Sequence, residues 1–367
     1  MPVTHWRIGK FWGGRLNIFG KKTAPLIGLD ISSTAVKLIQ LSRHGTRYKV
    51  EHFAIEPLAP KAVVEKNIEN IEVVSTAIQR AVKRCGTRAK NCAVAVSGSS
   101  VITKTISLPA DLSETELEAQ IEIEANQYIP YALSEVSLDF EVLGASSRSD
   151  ELVDVLLAAS KTDIIEIRQD AVESAGLVPY IVDVEAYSIG NAFSLIAKRD
   201  KISSSDTIVL VEIGANMTSL IVMRAGRVIY TREHPFGGQQ LINDIMRRYE
   251  MDREQATFFE RGEEGPEEFE AEVLEPFQQS IVQQISRSLQ FYSSSSDYAN
   301  VTGLYLAGGC AKIPGLDQMV ANELGIKAAL ADPIRGLDTS SKVALPSLQR
   351  NAPAMMVATG LALRGFD

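Results

Sequence analysis

One pattern occurs twice in this chain. Residues 28–41 read GLDISSTAVKLIQL and residues 210–223 read LVEIGANMTSLIVM. In each, an apolar strand runs into a carboxylate, a turn of small residues follows, and a second apolar strand returns. Asp30 and Glu212 hold equivalent places, and the turn Ser32-Ser33-Thr34 matches Gly214-Ala215-Asn216. Each return strand feeds a further turn and strand, SRHGTRYKVEHF and RAGRVIYTREH. Such a duplication predicts an α/β fold of two lobes that grip one ligand between matching turns.

The chemistry of those turns favours phosphate. Small residues let backbone N–H groups point into a concavity, hydroxyls add donors, and a neighbouring carboxylate can hold the hydrated divalent cation that a polyphosphate brings. A single copy would more often be an ordinary hairpin turn. A third element adds specificity: TGLYLAGGCAKIPGLDQMVANEL, residues 302–324, gives an apolar strand, the pair Gly308-Gly309 and a helix with Pro314 expected as its first residue. Adjacent glycines allow a nucleotide base or its α-phosphate to lie against the backbone. Taken alone, the segment is equally a strand-to-helix turn.

In this order the three elements resemble the phosphate and adenosine motifs of the actin-like (ribonuclease H-like) ATPase superfamily. Candidates for its two connecting helices are VDVEAYSIGNAFSLIAKR (182–199) and PAMMVATGLALR (353–364), where the small residues Ala186, Gly190, Ala358 and Gly360 permit close approach. From about Leu26 to Asp367 the chain resembles the PilM family of type IV pilus assembly, with the FtsA cell-division proteins more distant. GLDISSTAVKL, VVEKNI, SVITKTI, IEIEANQYIPYALSEVSLDFEVLG, DVEAYS, FGGQQL, QQISRSLQF, LAGG and TGLALRGFD carry the likeness.

That resemblance implies ATP with Mg2+ as cofactors. The nucleotide would be held by Asp30, Ser32, Ser33, Thr34, Glu212, Gly214, Ala215, Asn216, Gly237, Gly238, Gly308 and Gly309, with the metal held through water by Asp30 and Glu212. Glu185 is the candidate for orienting an attacking water, though it reads equally as a helix residue at a lobe interface. Lys37 reads as a side chain pointing to solvent. Three departures argue for absent or very slow hydrolysis. Glu212 is a methylene longer than the family's usual Asp, Ser32 replaces a common glycine, and Gln255 and Glu260 stand where relatives hold the ribose with a Glu and a Lys. The implied function is a cytoplasmic ATP-binding scaffold, peripheral at the inner membrane, that captures the N-terminal cytoplasmic segment of PilN and through it the PilN/PilO complex. Self-association, a filament-forming division role and a working ATPase stay open as alternatives.

The domain reading follows. Residues 25–100 with 181–205 form the base of the first lobe, and 206–236 with 300–367 the base of the second. Residues 237–299 form a smaller second-lobe subdomain whose two helices are separated by an acidic loop. Residues 101–180 read strand, helix, strand, strand, helix, an inserted subdomain similar to that of PilM and FtsA. In it Ser113 and Glu116 form a capping box for a helix reaching Tyr128. Gln127, Tyr128, Ile129, Pro130 and Tyr131 at that helix end are the expected peptide contacts, an apolar anchor with polar tips. The segment 331–352 reads as an irregular connection.

Charge and composition exclude several classes. A net charge of −9 argues against general nucleic-acid binding. Scattered histidines (His5, His44, His52, His234) lack triad or metal spacing, and Cys85, Cys92 and Cys310 are expected as free thiols. No apolar run is long enough to span a membrane. Residues 1–24 are basic and hold both tryptophans, so they could rest on an anionic surface or form a tail. Residues 250–275 set eleven acids against two arginines, a solvated face or a docking surface.

Overall fold

The structure, a computed structural model, describes residues 25–146, 148–260, 268–296 and 300–367. The basic N-terminal segment and part of the acidic stretch lie outside the described residues. The chain divides into two units, residues up to Ser188 with Leu361–Asp367, and Ile189–Gly360.

In the first unit, β1 (Leu26–Ile31), β2 (Ala35–His44) and β3 (Arg47–Pro57) form an antiparallel meander. A two-residue-strand hairpin, β4 (Val63–Val64) and β5 (Asn67–Ile68), leads into α1 (Ile71–Cys85). The Asn70 side chain accepts the Val73 N–H to start α1, and Gly86 at φ 69° ends it. Val74, Ala77, Ile78 and Ala81 form its buried stripe at helical spacing. The strand β6 (Asn91–Val96) then pairs parallel to β1. Next come β7 (Val101–Pro109), α2 (Glu114–Tyr128), β8 (Val136–Ser146), β9 (Ser149–Lys161) and α3 (Thr162–Ser174). The Ser113/Glu116 capping box is present. β7, β9 and β8 pair in that order, and with α2 they enclose a core of Ile106, Leu108, Ile121, Ala125, Val155 and Leu157. α3 instead packs on α1 and on β10 (Val178–Val184), which pairs parallel to β6.

Helix α4 (Glu185–Asp200) begins in the first unit and continues in the second. It is shorter than the sequence suggests, because residues 182–184 extend β10 along β6 and the β-branched residues Ile181, Val182 and Val184 favour the strand. The second unit repeats the meander with β11 (Thr207–Ile213), β12 (Thr218–Arg224) and β13 (Arg227–His234). It continues through α5 (Gly238–Tyr249), α6 (Arg253–Glu260), α7 (Glu275–Ser295), β14 (Gly303–Ala307), α8 (Leu316–Leu324), β15 (Ala328–Leu330), α9 (Leu345–Arg350) and α10 (Met356–Leu363). Its strand order is β13-β12-β11-β14-β15, and the first unit has β3-β2-β1-β6-β10. In chain order both read 3-2-1-4-5, the same sheet built twice.

Several elements differ from the sequence reading. The acidic stretch contains α6, started by reciprocal bonds between Asp252 and Gln255. The Asp252 carboxylate accepts the Gln255 N–H at 2.9 Å, and the Gln255 amide oxygen accepts the Asp252 N–H at 3.0 Å. Residues Glu270–Leu274 form a π-turn leading into α7. Pro276, which lacks an N–H and would crowd the carbonyl four residues earlier, accounts for the widened turn. Helix α8 starts at Leu316, not Pro314, because Gly315 adopts φ 76° as its N-cap. The connection 331–352 carries the short helix α9, with Pro346 in its first turn.

Candidate functional site

The repeat is exact at the level of hydrogen bonds. Asp30 pairs with Lys37 across β1–β2, and Glu212 pairs with Ser219 across β11–β12. The Ser32 N–H donates to Ala35 O at 3.0 Å, and the Gly214 N–H donates to Met217 O at 2.9 Å. Both turns therefore close in the same way, one residue beyond the carboxylate and an isoleucine. The Ser32 hydroxyl bonds Ala35 O at 2.8 Å, so it braces its own turn. Ser33 is half-buried and Thr34 exposed.

In the second unit, three glycine-bearing turns are fastened together. The N–H groups of Gly238 and Gln239, which open α5, donate to the carbonyls of Gly214 and Ala215 at 3.0 and 2.7 Å. A side chain on Gly237 would place its Cβ 2.4 Å from Gly214 O. Gly308 lies at φ 88°, where a Cβ would meet Ile213 O at 2.3 Å, and its N–H donates to Pro353 O at 2.8 Å. The Cys310 thiol points to Gly214 O at 3.4 Å. A Cβ on Gly309 would meet nothing within 4 Å. Gly214, Ala215, Gly237, Gly238 and Gly308 are thus brought together, with Asn216 in the same turn, Glu212 half-buried just before it and Gly309 open at the rim. Gln255 is not near a free role here: its side chain caps α6.

The first unit gathers charge instead. Asp30 is buried, and Lys37, far from pointing into solvent, donates to its carboxylate at 2.7 Å. Glu185, the first residue of α4, sits where the helix N-terminus favours a carboxylate, and Lys66 is ion-paired to it. Lys66 arrives on the tip of the β4–β5 hairpin. The two residues between Val64 and Asn67 are Glu65 at φ 47° and Lys66 at φ 66°. A two-residue hairpin with both residues at positive φ is of type I′, which ordinarily takes Asn-Gly. An L side chain in this region costs roughly 1–2 kcal/mol. Beneath the hairpin, fully buried Arg168 donates to Lys66 O at 2.5 Å. Burial lowers the Arg168 pKa, while the Glu185 and Asp30 carboxylates act to raise it. Sequence reasoning missed both Lys66 and Arg168. The stretch VVEKNI, which carries Lys66 and shares in the family likeness, was an available signal.

The site suits Mg2+ poorly in this unit. Asp30, the expected metal-facing carboxylate, is hydrogen-bonded to an ammonium, as is Glu185.

At the end of α2 the expected peptide contacts divide. Ile129 is buried in the subdomain core, whereas Gln127, Tyr128, Pro130 and Tyr131 are exposed. The Lys104 ammonium lies 5.1 Å from the Tyr128 ring centroid, and that of Lys161 lies 4.5 Å from the Tyr131 centroid. Each ring thus has a lysine ammonium beside it and stays largely exposed.

The profile of the family described as type IV pilus assembly protein PilM matches residues 28–366. The chain belongs to that family. Among solved structures it is similar to a chain of a PilM–PilN type IV pilus biogenesis complex, with 26% identity, a TM-score of 0.80, and 94% of this chain and 99% of that chain covered. It shares its fold with the ethanolamine utilization protein EutJ of Carboxydothermus hydrogenoformans (14% identity, TM-score 0.52, 92% and 88% covered). The same holds for MreB5 of Spiroplasma citri bound to AMPPNP (12% identity, TM-score 0.50, 93% and 95% covered). The fold is that of the actin-like ATPases. Among the described residues no helix is long and apolar enough to cross a membrane.

Proposed function

We propose that this member of the PilM family is an ATP-binding scaffold of type IV pilus assembly that works in the cytoplasm, peripheral to the inner membrane, by capturing the N-terminal segment of PilN. The nucleotide reading is carried by the three interlocked turns of the second unit. Gly214–Asn216 presents small residues to phosphate, and Gly308-Gly309 leaves open backbone for adenosine. Titration calorimetry with ATP tests it: saturable heat is expected, and none at millimolar nucleotide refutes it. Turnover should stay well below the ~1 s⁻¹ of ordinary enzymes. The Lys66 ammonium occupies the carboxylate of Glu185, and a carboxylate so engaged is a weak acceptor for a water proton.

The partner reading rests on the likeness to a chain of a PilM–PilN complex and on the exposed pair Tyr128 and Tyr131. An exposed aromatic beside a lysine offers an apolar anchor and an electrostatic guide for a short extended segment. Fluorescence titration of a synthetic PilN N-terminal peptide should show binding that weakens by about tenfold or more in Tyr131→Ala, the scale of an interface hot spot. The fold should be unchanged by circular dichroism, since Tyr131 is exposed. Binding unaffected by the substitution moves the site elsewhere, and no binding removes the partner reading.

A further inference from the structure

The charged cluster of the first unit bears on how a polyphosphate would be held. Resting on the nucleotide-binding reading, we propose that this chain binds the polyphosphate without a divalent cation, with Lys66 as the deciding residue and its ammonium supplying charge that a metal would otherwise bring.

The balance of charge is the first argument. Asp30 and Glu185 contribute two negative charges, and Lys37, Lys66 and Arg168 contribute three positive ones. Each carboxylate already accepts from an ammonium. Magnesium demands near-ideal octahedral oxygen ligands and keeps several waters, and each carboxylate could offer its shell only beside an ammonium already bound to one of its oxygens. The hydrated dication would then sit among three cations in surroundings that screen charge poorly. A polyphosphate meets the opposite situation. It finds surplus positive charge on groups that form strong charge-assisted bonds to phosphate.

Arg168 is the second argument. It is 2% exposed, one guanidinium nitrogen is spent on Lys66 O, and its Nε has no hydrogen-bond partner among the described residues. A guanidinium does not give up its proton in a protein. Arg168 is therefore a fixed buried positive charge beneath the hairpin tip. The backbone supplies the third argument. Positive φ at both Glu65 and Lys66 persists only where surrounding contacts impose it. Those contacts are the Arg168 bond to the Lys66 carbonyl and the ion pair of the Lys66 side chain. They aim one ammonium at the end of a carboxylate, from which a phosphate oxygen can take it over.

The experiment is calorimetric titration of the full chain with ATP and, separately, with inorganic tripolyphosphate, in Mg2+ and in EDTA. Wild type should bind ATP with affinities that agree within about threefold in the two buffers, and tripolyphosphate should displace ATP in EDTA. Lys66→Asn and Lys66→Gly, both at home in a type I′ turn, should lose about tenfold or more of the metal-free affinity, the scale of one charge-assisted hydrogen bond. Lys66→Arg should retain it. If wild type binds ATP in Mg2+ and loses more than about tenfold in EDTA, the metal-free inference is discarded while the nucleotide reading stands. Unchanged metal-free affinity in both turn-compatible variants, or tripolyphosphate that fails to displace ATP, would equally overturn it. Absence of ATP binding in both buffers would remove both readings.

Discussion

Gly308→Ala should destabilise the second unit by more than about 3 kcal/mol, enough to consume a large share of the stability of an ordinary domain. Gly309→Ala, one residue on, should change stability by less than about 0.5 kcal/mol. The contrast follows from what a single methyl group would meet. At Gly308 it lies 2.3 Å from the carbonyl oxygen of Ile213 and 2.7 Å from its carbon, at φ 88°. Ile213 is paired with Thr218 on one side of β11, and its neighbour Glu212 is paired with Ala307 on the other. The backbone cannot retreat without breaking a ladder in the middle of the sheet. At Gly309 the methyl group meets nothing within 4 Å. Urea unfolding of the two variants checks the difference, and equal midpoints would contradict it. If adenosine lies on this backbone, Gly309→Ala should also weaken ATP binding while its unfolding midpoint stays put.

The second large effect concerns the end of the chain. Arg364 donates to the Asp183 carboxylate at 2.5 Å, and both residues are buried. The same guanidinium reaches Asp367 at 2.8 Å, while the Phe366 ring lies beneath Arg43 and beside Tyr48. Removing one member of a buried ion pair strands the other charge away from water, which costs about 3–5 kcal/mol. Arg364→Met, which strands buried Asp183, should lower the stability of the first unit by that order, and Asp183→Ala by less, because Arg364 keeps its ion pair with Asp367. The double variant should recover a substantial part of the Arg364→Met loss, because the buried Asp183 charge is then no longer left alone. Chemical denaturation of all four proteins gives the coupling directly. Strict additivity would show that the pair is not the reason for the loss.

How much of this was open to sequence reasoning varied with the distance over which each feature is specified. The duplicated hairpin was legible because both copies carry the same continuous apolar strand, the same carboxylate and the same small-residue turn. Asp30↔Lys37 and Glu212↔Ser219 then fall in equivalent register as a consequence. The capping box at Ser113 and the diglycine at Gly308-Gly309 were legible for the same local reason. The cluster around Glu185 was not. Lys66 and Arg168 lie far apart in sequence and meet only because α3 packs back on α1. The sequence placed Lys37 in solvent, since strand alternation alone does not reveal that Asp30 stands opposite it. The start of α4 was misjudged by three residues because strand pairing with β6, a tertiary contact, outweighs local helix pattern at residues 182–184. Ile129 looked like an anchor for a partner but fills the subdomain core.

The π-turn before α7 solves a problem of phase. Phe269, Val273, Phe277, Ile281 and Ile285 are buried in one core, and each follows the last by four residues. In a helix of 3.6 residues per turn, a stripe repeating every four residues winds around the cylinder by about 40° at each step. Over the whole series it would carry Phe269 well off the face that Ile285 presents. The wider turn at Glu270–Leu274 rotates less per residue and unwinds part of that drift where it would otherwise accumulate. It acts as a one-residue insertion absorbed within a continuous helix. Deleting a single residue there should let the turn tighten to the α form with Phe269 still on the core face, since seven residues of α-helix before Phe277 sweep about 700°, close to the two turns that eight now span.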